Sequence, residues 1–491
     1  MDRLKMNKRK IIILCMALAM VPGLAIFTQA SAQQASQQRS GGIQREAEPG
    51  LPANCTTAAY MQDGGAVTQE GKTYIATKSN VIESVVCVTN GGLLTLKSPK
   101  ISKTGNKDQG DFGGQGVEAS EGSVVNIIDG EIYTDTIGGN GLWATNEGSL
   151  IYMRGGSITT LESSGHGVDT TKRASVILYD VKISTSGAIA SGALVNDSGD
   201  GTVYATRVTA NTKGYGSPGF YMIGSKSMLT IKDSTIVAEA SDAGVLLYSA
   251  DVTVTDSTLK GAKGVKVAGG SFTMTGGSLT ATDGDAFNIV AGEDGPPGGA
   301  QSGAPGGSAP GAPGGSAPGG GRGMPAGGPQ GGFPGGGAPG GAAPGGGGLF
   351  GGAPGGDSTI TLQAGVKISA STGNIINVPA ENKAAFTADS TDLTGNVVVA
   401  ETGTLNLTLS RSTLKGVVNG AAITMDKDSK WYVTGDSVIT TLNNSGGIAG
   451  TEINNIYGNG HTVRYDAKLE ENKALGGKTY TLAKGGKLSP K

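Results

Sequence analysis

Apolar and polar residues alternate over most of the chain, in short runs broken by glycines and by Asp-Ser-Thr turns. The stretch GVLLYSADVTVTDSTLK, residues 244–260, shows the unit most plainly. Val245 and Leu247 open one short strand, Val252 and Val254 alternate in a second, and Leu259 begins a third. A period of two puts alternate side chains on one face of a strand. Three short strands recurring about every 20 to 27 residues describe a coil whose successive turns stack. One such turn cannot bury its apolar face, but a stack can. The pattern predicts an all-β solenoid, a parallel β-helix of roughly a dozen rungs.

Unit openings fall at Gly116-Val117, Gly141-Leu142, Gly167-Val168, Gly192-Ala193, Gly219-Phe220, Gly244-Val245 and Gly264-Val265, with a degenerate one at Ala286-Phe287. Second strands follow in register, as in Ser149 to Met153, Ser227 to Ile231 and Ser271 to Thr275. Third strands start near Ile132, Ile158, Ile183, Val208, Ile236, Leu259 and Leu279. Each turn offers about five inward positions, and at about 1.5 to 3 kcal/mol per buried side chain the stack can drive folding.

Composition narrows this reading. The 491 residues include 87 glycines, with only 16% charged and 5% aromatic, which fits tight turns and a narrow interior of small aliphatic side chains. A formal net charge of −2 gives no global attraction to nucleic acid or to an anionic membrane. With His166 and His461 as the only histidines, a histidine-built metal site or triad is not expected.

Residues 1–32 have a basic start, an apolar run from Ile11 to Phe27 and then Ala30-Ser31-Ala32. This is the layout of a cleavable secretory signal, with an uncleaved anchor as the alternative. Once the signal is removed, the chain is not expected to be an integral membrane protein. The Gln- and Ser-rich residues 33–52 read as a disordered leader. Cys55 and Cys87 are the remaining cysteines, and in an exported chain an even pair is most simply one disulfide, two free thiols being the alternative. Such a bond is worth about 3 to 4 kcal/mol and would staple the first turn of the stack, within residues 53–294.

Residues 295–356 are nearly all Gly, Pro, Ala and Ser, without a three-residue period. Alternation resumes at Ser358-Thr359-Ile360-Thr361-Leu362 and continues through residues 357–491. The insert therefore reads as a disordered loop thrown out of one turn, a cost of about 2 kcal/mol in closure entropy. No barrel-like series of membrane strands and no hydrophobic sorting tail is read near the C-terminus, so release, or retention by another component, is expected.

Repeats such as GVLLYSADVTVTDSTLK and the closing pattern GNGHTVRYDAKLEENKALGGKTYTLAKGGKL resemble those of secreted bacterial right-handed parallel β-helix proteins. Proteins of that shape include autotransporter passengers (adhesins), pectate-lyase-like enzymes and carbohydrate-binding β-helices. The resemblance covers roughly residues 70 to 480 and implies a right-handed coil in an extracellular, cell-surface or periplasmic setting. It implies no particular activity, because the matching residues are scaffold.

Candidate chemistry is sparse. Asp233, Asp256 and Asp389, each in Asp-Ser-Thr, read as a ladder of turns in which the carboxylate bonds to backbone. Lys260, Lys263 and Lys266 lie close together, and a lyase needs a base beside an acidic sugar. Asp283 and Asp285, one residue apart, could share a Ca²⁺ ion, and Asp108 and Asp111 form a comparable pair. Neither pair assembles a nucleophile, base and stabiliser. With Val117, Leu142, Val168, Phe220, Val245 and Val265 inward, their neighbours Glu118, Trp143, Asp169, Tyr221, Leu246 and Lys266 form an outward strip. Rungs stack about 4.8 Å apart, so aromatic faces and polar groups would repeat at a spacing suited to sugar rings. The alternatives are that Trp143 and Tyr221 pack under loops, or that the faces are swapped. The expected function is a secreted or surface polysaccharide-binding β-helix. A lyase or glycosidase on the same scaffold, or a structural adhesin, are the other readings.

Overall fold

The computed structural model describes residues 55, 58–77, 83–105, 114–197, 199–291, 357–444 and 446–491. The expected signal, leader and insert, and the Asp108/Asp111 pair, lie outside them. Within the described residues the chain is a right-handed parallel β-helix, almost every strand pairing in parallel with the equivalent strand one rung away. The stack runs from Tyr60–Asp63 to Lys487–Pro490 and exceeds a dozen rungs.

Each rung has three faces. The interior columns show why alternation predicts them. On the second face Leu94, Val125, Ile151, Val176, Val203, Leu229, Val252 and Phe272 stack in register. On the third face Ile101, Ile132, Ile158 and Ile183 do the same, followed by Ala210 rather than the expected Val208, which belongs to the preceding turn. All are buried in one continuous core. Branched aliphatic side chains suit this setting because neighbouring strands hold them in one rotamer against like side chains above and below.

The turn between second and third faces needs one residue in the left-handed region on rung after rung. Asp129, Asp180, Arg207, Asp233 and Asp256 hold it with φ of 53°, 58°, 52°, 49° and 46°, and Gly276 with 65°. Asp is among the side chains best tolerated there. The residue after it carries the hydrogen bonding. Ser234 Oγ accepts the Val208 N–H at 3.0 Å and donates to the Lys232 carbonyl, and Ser257 Oγ accepts the Ser234 N–H at 3.0 Å. At residues 389–391 the frame shifts by one, Ser390 taking the left-handed position. There Thr391 Oγ1 donates to the Asp389 carbonyl. The Asp-Ser-Thr motif is thus a turn motif, as its composition predicts, but at Asp233 and Asp256 the backbone angle and the following serine do what was expected of the carboxylate.

Ser358–Gln363 pairs with Gly270–Thr275, while Phe287–Ile289 pairs with the first-face strand before it, so these two segments are consecutive strands of one rung. Ser358 Oγ accepts the Gly269 N–H at 3.0 Å. Phe287 packs edge-on against Phe272 and Phe386, with centroids 5.4 and 5.9 Å away, tying this rung to both neighbours. At the far end the 3₁₀ turn Glu470–Leu475 and an antiparallel pairing of Tyr480–Ala483 with Lys487–Pro490 close the stack. At the near end Cys55 and Cys87 are bonded. Beside them the buried Lys103 Nζ lies 3.4 Å from Glu83.

Two unit openings slip by one residue. Leu194, not Ala193, stands beside Val168, and Gly244, not Val245, takes the inward position beside Phe220. The second slip reverses two side chains: Leu246 is inward and Val245 outward. The reason is the Phe220 ring, which fills the space a side chain at 244 would need; a Cβ there would lie 1.8 Å from its Cζ. Gly244→Ala should therefore destabilise the stack by on the order of 1–3 kcal/mol. Phe220→Leu should recover part of that loss in a double-mutant cycle read by urea unfolding. Additive effects would show that the ring does not dictate the register.

Candidate functional site

The outer face of the first sheet brings the predicted strip together. Register places Cys87, Glu118, Trp143, Asp169, Val195, Tyr221, Val245 and Lys266 in a single column. A second column, two residues further along each strand, holds Thr145, Thr171, Asp197, Ile223, Leu247 and Ala268. Their alternation with the core columns puts them outside the coil, as expected. They are not open to solvent: Glu118 is 5% exposed, Trp143 3%, Tyr221 2% and Asp169 fully buried. The upper part of the face is an apolar cluster of Val195, Tyr221, Ile223, Val245, Leu247 and Ala268, separate from the main core. The lower part is polar.

The polar part centres on residues that sequence reading passed over. His166 stands two positions before Val168, in the turn entering the first face, where Asn140 Oδ1 accepts its backbone N–H at 2.9 Å. Its Nε2 lies 3.9 Å from Asp197 Oδ2. Burial lowers the imidazole pKa to about 4, with a contact to the Ala190 backbone pulling the other way. At neutral pH the ring is uncharged. Burial, then the nearby Asp197, pushes the Asp169 carboxyl well above the usual carboxylate range, only partly offset by the backbone N–H groups of Thr170 and Asp197. Burial and Asp197 likewise raise the Tyr221 hydroxyl. Burial lifts Glu118 to about 7, against the opposing hydrogen bond from Ser84 Oγ at 2.6 Å.

Several buried polar atoms here complete no hydrogen bond of good geometry within the protein: both Asp169 oxygens, approached only loosely by the Thr170 and Asp197 N–H groups, His166 Nδ1, the Tyr221 hydroxyl and Gln115 Nε2. Each such atom costs about 1–3 kcal/mol, and buried polar atoms are nearly always paired in folded proteins. The signal available in the sequence was thin. His166 looked like a lone histidine, and Asp197 lies two residues beyond Val195, in a rung whose outward position is apolar.

The other candidates separate. Lys266 is half-buried at the upper end of the column, and Lys263 pairs in register with Asp242. Burial raises the Asp242 carboxyl, with Lys266 and then Lys263 opposing, so an acid joins the lysine group that the sequence suggested. Asp285 Oδ1 accepts hydrogen bonds from Thr372 Oγ1 at 2.6 Å and Asn374 Nδ2 at 3.0 Å, which makes it a clip between rungs, while Asp283 is exposed nearby. Among the described residues, neither belongs to a group of three ligand-bearing side chains close enough to share an ion. An open groove of about 310 Å³ lies elsewhere, on the outer third face by Ile75, Lys100, Glu131 and Tyr133. No strongly shifted acid and no unpaired buried atom lines it, so the first-sheet cluster is the candidate site.

A protein-family model described as right handed beta helix region matches residues 84–279, the span that contains this cluster. No curated protein matches the chain. That match agrees with the β-helix fold of the described residues. Among the described residues no helix is long and apolar enough to cross a membrane.

The titrations have opposite signs. A carboxyl whose folded pKa is raised destabilises the folded state once pH exceeds its unfolded value, and a depressed imidazole does so as pH falls below its own. Asp169→Asn should raise the melting temperature at pH 7, and the gain should vanish on acidification toward the ordinary carboxylate pKa of 3.8. His166→Gln should instead remove a loss of stability that the wild type shows between 6.5 and about 4. Calorimetry across that range checks both, and parallel profiles for all three proteins would contradict the assignment.

Proposed function

We propose that the first-sheet cluster is a carbohydrate-recognition site and that the protein is a secreted or cell-surface β-helix that binds extracellular polysaccharide. The observation that carries this reading is the set of unpaired buried hydrogen-bonding atoms on Asp169, His166, Tyr221 and Gln115 along this face, with Asp169 directly opposite Trp143 in register. Donors and acceptors next to an aromatic face match a sugar, which offers hydroxyls around its rim and C–H groups on its faces. Because the column is enclosed, the ligand is a single sugar unit or side branch rather than the flat length of a polymer. Lys266, beside Asp242 at the upper end, suits an acidic sugar.

A second reading, a glycosidase or lyase, draws on one feature: two mutually repelling acids, Asp169 and Asp197, with a neutral histidine 3.9 Å from the second. Two neighbouring carboxyls are a common acid–base arrangement. A glycan array with the purified chain, with and without Ca²⁺, should return a defined set of ligands. Asp169→Asn and Tyr221→Phe should each weaken the best of them about tenfold, the equivalent of one hydrogen bond of ~1.4 kcal/mol. Release of shorter products from that ligand would move the assignment to the enzyme. Retention of no glycan, or unchanged affinity in both variants, would remove the site.

A further inference from the structure

We propose that the Cys55–Cys87 bond is a thiol-exchange site for small thiols and that Glu118 is its proton donor. The two sulfurs differ in access. Cys87 is fully buried in Val86–Thr89, whereas Cys55 is partly exposed. An incoming thiolate therefore reaches Cys55 and expels Cys87. Glu118 stands directly opposite Cys87 in register, and one of its carboxyl oxygens and both sulfurs lie within 4.8 Å of one another.

The chemistry explains why an acid belongs at this position. As the thiolate bonds to Cys55 Sγ, the S–S bond breaks and its electron pair leaves on Cys87 Sγ. That sulfur is fully buried on the covered outer face of the strand, where an anion is poorly solvated. The Glu118 carboxyl hands over its proton, leaving a neutral Cys87 thiol, a carboxylate and a mixed disulfide at Cys55. A second thiolate then attacks the small-molecule sulfur of the mixed disulfide and frees the Cys55 thiolate, so two thiols are oxidised to one disulfide as the protein bond is reduced. In the reverse direction Glu118 accepts the Cys87 proton.

The acid is suitably held. Ser84 Oγ donates to Glu118 Oε2 at 2.6 Å, and burial keeps the carboxyl protonated up to about pH 7. The next strand offers Trp143 opposite Glu118, which carries no charge. The charged groups nearest along the Ser84 segment, Glu83 and Lys103, are paired with each other at 3.4 Å, and neither shifts Glu118.

The test follows reduction of the full chain by dithiothreitol from about pH 5.5 to about pH 8.5, with rates normalised to the reductant's thiolate. The wild-type rate should be level below the Glu118 pKa and fall on the order of tenfold as pH rises through about 7. Glu118→Gln should be slow and level throughout. In Ser84→Ala the fall should move to higher pH, because the lost hydrogen bond favoured the ionised carboxyl. A merely structural role for Glu118 would not give this profile. A wild-type profile in Glu118→Gln, or a level wild-type profile, would overturn the proposal. Should Glu118→Gln not fold, an unmoved inflection in Ser84→Ala would overturn it equally.

Discussion

Everything in this fold depends on parallel strands pairing in register from one rung to the next. A parallel ladder satisfies its backbone groups only with neighbours above and below, so each rung must return its chain to the same positions. The turn between second and third faces does this by placing one residue in the left-handed region, and buried serines then lock each turn to the next. Side chains follow as columns. A substitution in one rung is felt by its column neighbours, as Gly244 and Phe220 show, because the interior has no slack for a second side chain at that height.

The same constraint brings distant residues together. A column on the outer face collects one residue from each rung, so groups about 25 residues apart in the chain become neighbours about 4.8 Å apart. On the first sheet this produces an apolar upper half and a polar lower half that share one enclosed surface. Burial then separates the titrations: it neutralises His166 and raises Asp169 and Glu118. The Cys87–Glu118 neighbourhood arises in the same way, one rung below Trp143.

Strand identity and interior columns were written in the local pattern. Alternation over Val252 and Val254, or over Ile132, Ile158 and Ile183, has one solution once the rungs stack, since a slip of one residue would turn every apolar side chain outward. Alternation alone did not settle positions where both neighbours are apolar. At Val245-Leu246 either side chain could face inward, and the choice was made by the size of Phe220 on the adjacent rung.

The sequence by itself therefore determined the fold class, the repeat, the outward identity of Glu118, Trp143, Asp169 and Tyr221, and the two cysteines available for a bond. These follow from period and composition, which are local properties. Only the tertiary structure decided that this outward strip is buried, that His166 and Asp197 join it, and that Glu118 stands against Cys87. Such facts depend on which turns close over a face and how many residues separate successive rungs. Here those separations vary, from the 31 residues between Cys87 and Glu118 to the 21 between Val245 and Lys266. A column is therefore known only when every rung beneath it has been laid down.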